Sequence, residues 1–146
     1  MTDTTATTVS AARAERRTRR LVRAASVVGA ACVTSVIFAI GKAAGTEFTI
    51  TDPGDNAVPH TFVLPEIAII TLIIGLAGWA ALAVLERFTS RARIVWSILA
   101  AAVVLLSLPP IWIERATTDT RVLLAVIHVA VGVALIPMVR VSARRG

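Results

Sequence analysis

Five polar residues sit in or beside long apolar runs, where an isolated polar group is costly. Ser35, Thr71, Ser107 and His128 are embedded in stretches of Ala, Val, Ile and Leu, and Glu66 opens one of those stretches. Take the outward ends of the four runs as Gly41, Pro65, Ile113 and Arg121. Ser35, Thr71, Ser107 and His128 then lie about 9–10 Å in from those ends, at roughly 1.5 Å of helical rise per residue. Glu66 lies above them, near the rim. A polar layer at one depth would suit a small ligand pocket or part of a proton path, since ionisable groups inside a bilayer are functional candidates by default. The same residues also fit a plainer role. Ser and Thr in membrane helices commonly bond backbone carbonyls or join helices, and His128 can do the same. Glu66 then serves as a helix-start residue in the headgroup zone, where its charge favours the positive end of the helix dipole.

Other chemistries find less support. His60 and His128 are the only histidines, and the single Cys32 is near neither. Glu47, Asp52, Asp55 and His60 share one loop, but oxygen-ligand cation sites need tighter spacing, so a solvated acidic loop is expected and no metal site. The chain has no HExxH, GxSxG or Walker sequence and no nucleophile–base pair. No catalytic residue and no cofactor are therefore expected, and an enzyme is the least supported class. Cys32 lies inside an apolar run and has no partner for an intrachain disulfide; it reads as a small packing residue.

The elements that must position these residues are membrane spans. The stretch from Pro65 to Arg93 organises the chain: an uncharged apolar run from Ile67 up to Glu86, then a short loop rich in Arg. About 20 helical residues cover the hydrocarbon core. The 146 residues are 56% hydrophobic and only 16% charged, against about 25% charged in soluble domains. With a mean hydropathy of +0.79, so small a chain cannot hide its apolar residues in a water-soluble core. The expected fold is an all-α integral membrane protein, an antiparallel four-helix transmembrane bundle. Its spans fall at about 24–41, 65–85, 94–113 and 122–139 within a membrane domain of residues 21–140. Residues 1–20 read as a disordered basic tail, with the Arg-rich part able to form a short interfacial helix, and residues 141–146 as a second basic tail.

Charge placement sets the orientation. Of 15 Lys and Arg, all but Lys42, Arg115 and Arg121 lie in the N-terminal segment, the central loop or the C-terminal segment. The positive-inside rule puts these three segments, and both termini, in the cytoplasm of a multi-pass cell-membrane protein. Arg16, Arg17, Arg19, Arg20 and Arg23 are expected to hold anionic headgroups, at about 1 kcal/mol per basic residue near the surface. The net charge of +6 does not imply nucleic acid, because the arginines flank apolar runs without interleaved aromatics. The Arg-rich start before an apolar run also has the form of a secretory signal. The 18-residue run, the three apolar segments after it and the poor cleavage sequence Lys42-Ala43-Ala44-Gly45 favour its retention as a span.

The loops and helix surfaces carry further expectations. Glu47–Thr51 alternates at period two, Asp52-Pro53-Gly54-Asp55 has turn chemistry, and Ala57–Val63 can return, giving a small extracytoplasmic β-hairpin in the first loop. Pro109-Pro110 should kink or end the third helix. Trp96 and Trp112 should mark its two interfaces, and Trp79 should fill the space left by Gly78. The pairs Ala25/Gly29, Ala77/Ala81 and Ala130/Ala134 allow close helix approach, within the bundle or in a homodimer, with packing inside the bundle favoured.

Leu76-Ala77-Gly78-Trp79, Leu85-Glu86-Arg87, Arg91-Ala92-Arg93 and Trp96 come in an order that resembles a family of small four-span membrane proteins from actinobacteria. Ser107-Leu108-Pro109, Thr120-Arg121, His128 and Leu135-Ile136-Pro137 continue the pattern. The resemblance covers roughly Arg20 to Arg140. It implies the four-helix architecture and transfers no activity, because the family is classed as a domain of unknown function. Two functions are thus expected to compete: a non-catalytic bundle that binds lipid or a membrane-protein partner, and a small transporter or ion-pathway component using the polar layer.

Overall fold

A computed structural model describes residues 3–140. Four helices long and apolar enough to cross a membrane account for nearly all of it. Helix α1 runs Asp3–Ala43, α2 Leu64–Phe88, α3 Ala92–Ile113 and α4 Thr118–Ala134, with a short α5 at Ile136–Arg140 continuing the fourth span. Two two-residue strands, β1 (Thr49–Ile50) and β2 (His60–Thr61), lie between α1 and α2. Helix α1 packs on α2 and α4, and α3 packs on the same two, so the ring order is α1–α2–α3–α4. This is the antiparallel bundle that the hydropathy implies.

The boundaries follow local chemistry. Pro65 sits in the first turn of α2, where its missing N–H has no intrahelical acceptor to lose. At the other end Thr89 leaves the helical conformation while its N–H still reaches Leu85 O at 2.9 Å. The fourth span breaks at Leu135 because Pro137, two residues on, has no N–H to extend the α4 ladder. The Pro109-Pro110 pair does not end α3: the helix continues through both to Ile113, and the Glu114 N–H closes the last turn on Pro110 O at 3.0 Å. Each proline removes one N–H donor and crowds the carbonyl four residues back, but its fixed φ is a helical one and the helix runs through the pair.

Three expectations change here. The N-terminal tail is helical from Asp3, continuous with the first span, rather than disordered. Between Ala11 and Arg23 the sequence is Ala, Arg and other good helix formers with no Gly or Pro to break it. Trp96 is no interfacial residue. It is 6% exposed, its Nε1–H donates to Gly78 O at 2.9 Å, and its ring rather than that of Trp79 covers Gly78. Trp112 remains exposed on the bundle surface. Cys32 is exposed too, so it faces out of the bundle rather than packing in it. The tail at 141–146 and its Arg144 and Arg145 lie outside the described residues.

The core has two halves. Toward the arginine-rich end, Val27, Ala30, Leu82, Trp96, Leu135 and Met138 pack together. Toward the opposite end, Phe38, Phe48, Ile67, Ile111, Leu124 and Ile127 form the second cluster. The loop segment contributes to this second half: Phe48 is fully buried at φ 55°, with its ring centroid 4.4 Å from that of Phe38. Gly41 makes room for it, since a β-carbon there would come within 2.7 Å of both the Phe48 ring and Leu123. Gly41→Ala is expected to cost about 1–3 kcal/mol in overpacking, offset by roughly 1 kcal/mol of helix propensity. A net loss of unfolding free energy in mixed micelles checks this, and a stabilised variant would refute the tight fit.

The hairpin forms as the alternation implies. Strand pairing is antiparallel, with Thr49 opposite Thr61 and Ile50 opposite His60. The Thr49 and Thr61 hydroxyls meet at 2.8 Å across it. Thr51 and Arg115 exchange two backbone bonds, 3.0 and 2.9 Å, which fastens the hairpin to the loop between α3 and α4.

Candidate functional site

Among the described residues no hydrogen bond joins any two of the five residues of the polar layer. Thr71 is 5% exposed and its hydroxyl meets that of Thr34 at 3.1 Å, joining α2 to α1. Each hydroxyl has a carbonyl of its own helix as well: Thr71 donates to Ile67 O at 2.8 Å, and Thr34 lies 3.1 Å from Ala31 O. Ser35, placed beside Thr71 in the polar layer by its depth alone, does not make this contact. The helical phase of α1 instead turns its neighbour Thr34 inward, fully buried, and leaves Ser35 half-buried. Ser107 donates to Val104 O at 2.7 Å and His128 Nδ1–H to Leu124 O at 2.7 Å, both within their own helices.

Glu66 points to the hairpin. His60 Nε2–H donates to Glu66 Oε1 at 2.9 Å, and the Val63 N–H lies 3.4 Å from Oε2. Val63 has no side-chain oxygen to return, so Glu66 supplies the only capping interaction at the start of α2. The His60–Glu66 pair is partly exposed and clasps β2 onto that helix. The plainer role fits these contacts: local backbone bonds, one interhelical hydroxyl pair and one cap. Among the described residues no group of three or more His, Cys, Asp or Glu could hold a metal.

A mostly buried ion pair between α1 and α2 was not foreseen from the sequence. Arg23 on α1 and Glu86 on α2 form an ion pair at 2.5 Å, with side chains 8% and 18% exposed. Arg23 Nε is buried with no partner. Arg23 was expected to reach lipid headgroups; its place on the buried face of α1, opposite the last turn of α2, commits it to Glu86. The signal available was one acid, Glu86, ending a long uncharged run. Arg19 pairs only loosely with Glu15, at 3.8 Å along the helix, which contributes about 0.3–0.5 kcal/mol at most.

Beside this pair the arginine-rich end is grooved. Arg13, Arg16, Arg17 and Arg20 of α1 border an open cleft of about 460 Å³ whose apolar wall is Leu21, Ala24 and Trp79. A second cleft of about 460 Å³ lies between α3 and the fourth span, with Arg93 and Arg140 on its rim. The small-residue pairs fall outside the tightest contacts. Ala25 is exposed and nothing lies within 4 Å of a β-carbon placed on Gly29, so this pair faces out of the bundle. Close approach occurs at Gly75, against Val27, and at Gly132, against Val104, two of the glycines, with Gly78, that the sequence offered for it.

Fold and site together define a multi-pass helical membrane protein, closed by a hairpin at one end and bordered by arginines at the other. Residues 14–145 match a family of unknown function, DUF6069, and the chain belongs to that family. No match was found among curated proteins or among solved structures.

Proposed function

We propose that this protein is a non-catalytic cell-membrane bundle whose arginine-rich end gathers anionic lipid headgroups. The observation that carries the reading is the α1 cleft, in which four arginines stand over an apolar wall ending in Trp79. Arginine suits phosphate because its planar guanidinium can donate two parallel hydrogen bonds. An apolar wall below the charges suits the chains that phosphate carries. Arg13 enters the headgroup set beside Arg16, Arg17 and Arg20, while Arg19, which leans on Glu15, and Arg23, which pairs with Glu86, leave it. Each arginine near an anionic surface adds about 1 kcal/mol of attraction.

The charge distribution supports a cytoplasmic position for the arginine-rich end and both termini, with the hairpin outside. A cysteine introduced at Asp55 should then be labelled by an impermeant reagent on intact cells. Labelling only after lysis would invert the orientation.

The lipid reading is tested with Trp79 as the sole tryptophan, in vesicles holding a trace of dansyl-labelled phosphatidylglycerol or dansyl-labelled phosphatidylcholine. Energy transfer from Trp79 should favour the anionic lipid several-fold. Replacing Arg13, Arg16, Arg17 and Arg20 with Gln should remove the preference. Equal transfer to both lipids in the parent protein would reject the reading. The ion-pathway alternative is not favoured by the dispersed contacts of Glu66, Ser107 and His128. A partner protein or homodimer on the Ala25/Gly29 face is compatible with lipid binding at the arginine end.

A further inference from the structure

We propose that the crevice between α3 and the fourth span is a built site for a single anionic phospholipid, with its phosphate between Arg93 and Arg140 and one acyl chain lying along Trp96. This site is separate from the α1 cleft and does not depend on it. Its outer part, about 460 Å³, is bounded by Arg93, Ser97 and Ala101 of α3 and by Gly132, Ile136 and Arg140 of the fourth span. A second, apolar cavity of about 320 Å³, bordered by Ile74, Ala77, Gly78 and Ala81 of α2 as well as by α3 and the fourth span, shares Trp96, Ala100 and Gly132 with it. The two therefore adjoin at these three residues, the first charged at its rim and the second apolar. Each volume falls in the roughly 300–1,000 Å³ range of small-molecule sites.

Charge and length select the occupant. Neither Arg93 nor Arg140 has an ion pair or side-chain hydrogen bond among the described residues. Two cations on one rim, with no acid lining the crevice, call for an anion. From Arg93 to Val104 the two adjoining cavities follow α3 for about 16 Å at 1.5 Å per residue. That is close to half of a hydrocarbon core about 30 Å thick, the depth of one leaflet. A headgroup phosphate held at the rim would thus send its chain toward the midplane and no further. The small residues Ala100, Gly132 and Gly78 leave the space, and the Trp96 hydrogen bond to Gly78 O keeps its large ring from closing it.

The test uses the full chain with Trp79 and Trp112 replaced by Phe, so that Trp96 alone fluoresces. In phosphatidylcholine bilayers, a small fixed fraction of lipid carries brominated chains on either phosphatidylglycerol or phosphatidylcholine. Brominated phosphatidylglycerol is expected to quench Trp96 several-fold more strongly. Arg93→Gln with Arg140→Gln should abolish that preference, whereas Arg16→Gln with Arg17→Gln should leave it intact. Equal quenching by the two lipids overturns the proposal. So does loss of preference to the same degree in both arginine variants, which would mean a diffuse positive field. Displacement by millimolar inorganic phosphate would assign the arginines to a soluble anion instead and also overturn it. Should the single-tryptophan chain fail to fold, native mass spectrometry of the unaltered protein gives the same decision. A retained phosphatidylglycerol adduct, lost in the Arg93/Arg140 variant, supports the site; no preference over phosphatidylcholine removes it. If the dansyl experiment on Trp79 fails while Trp96 keeps its preference, only the α1 reading falls.

Discussion

Glu86→Ala is expected to lower the unfolding free energy by about 3–5 kcal/mol, the cost of leaving one member of a buried ion pair without its partner. Arg23 has the geometry for a loss of that size. It is 6% exposed, held between α1 and α2, and its Nε already lacks a partner. Two effects pull against each other. An arginine near the end of a span can snorkel to the interface, which would reduce the loss. Arg23 could do so only by leaving its buried place on the face where α1 meets α2. The lower part of the range is therefore the expectation. Replacing both residues with Met should recover most of the loss, because an apolar pair of similar bulk avoids the desolvation of two charges. Unfolding by SDS in mixed micelles, followed by tryptophan fluorescence, reads both variants. A Glu86→Ala midpoint equal to that of the parent would show that the pair contributes nothing.

Phe48→Ala should cost about 3–5 kcal/mol, as for other buried Phe truncations. The ring is fully buried, stacked near Phe38 and seated in the notch at Gly41. Helices α1 and α4 both line this position, so neither can collapse alone into the space. The backbone adds an ordering that pure cavity loss would not produce. At φ 55° any residue with a β-carbon sits in a left-handed conformation costing roughly 1–2 kcal/mol, which glycine escapes. Phe48→Gly should therefore be less destabilising than Phe48→Ala, by about 1 kcal/mol. The reverse order in the same unfolding assay would mean that the loop relaxes out of the left-handed region once the ring is gone.

The architecture was legible because four apolar runs of spanning length leave few alternatives, and their order with short connections gives an antiparallel bundle. The hairpin was legible for a different reason: alternation on either side of Asp52-Pro53-Gly54-Asp55 is a local signal. What sequence could not give was helical phase. Thr34 and Ser35 are adjacent hydroxyl residues in one apolar run, and only the packing of α1 on α2 decides that Thr34 meets Thr71. The same limit hid Arg23 among its neighbours. Six arginines precede the first span, and nothing in their spacing says which one faces Glu86. Depth along a helix is read from counting, but direction around it is set by partners distant in the chain. A shared depth for Ser35, Thr71, Ser107 and His128 therefore did not give them shared hydrogen bonds. Trp96 shows the point once more: its position near a span end suggested an interface, while its rotation placed the indole over Gly78.

The two backbone bonds between Thr51 and Arg115 join the connections at one end of the bundle, and the His60–Glu66 clasp fastens the hairpin to α2 there. At the other end Arg23–Glu86 joins α1 to α2, and the Trp96 bond to Gly78 O and a short turn join α2 to α3, while no hydrogen bond or ion pair among the described residues joins α3 to the fourth span there. The bundle is thus built like a pair of tongs, hinged at the hairpin and free to part at the arginines. Helix separation under thermal motion or lateral membrane pressure should begin at the arginine end, between α3 and the fourth span, where amide exchange would outpace that of the second core around Phe38 and Phe48.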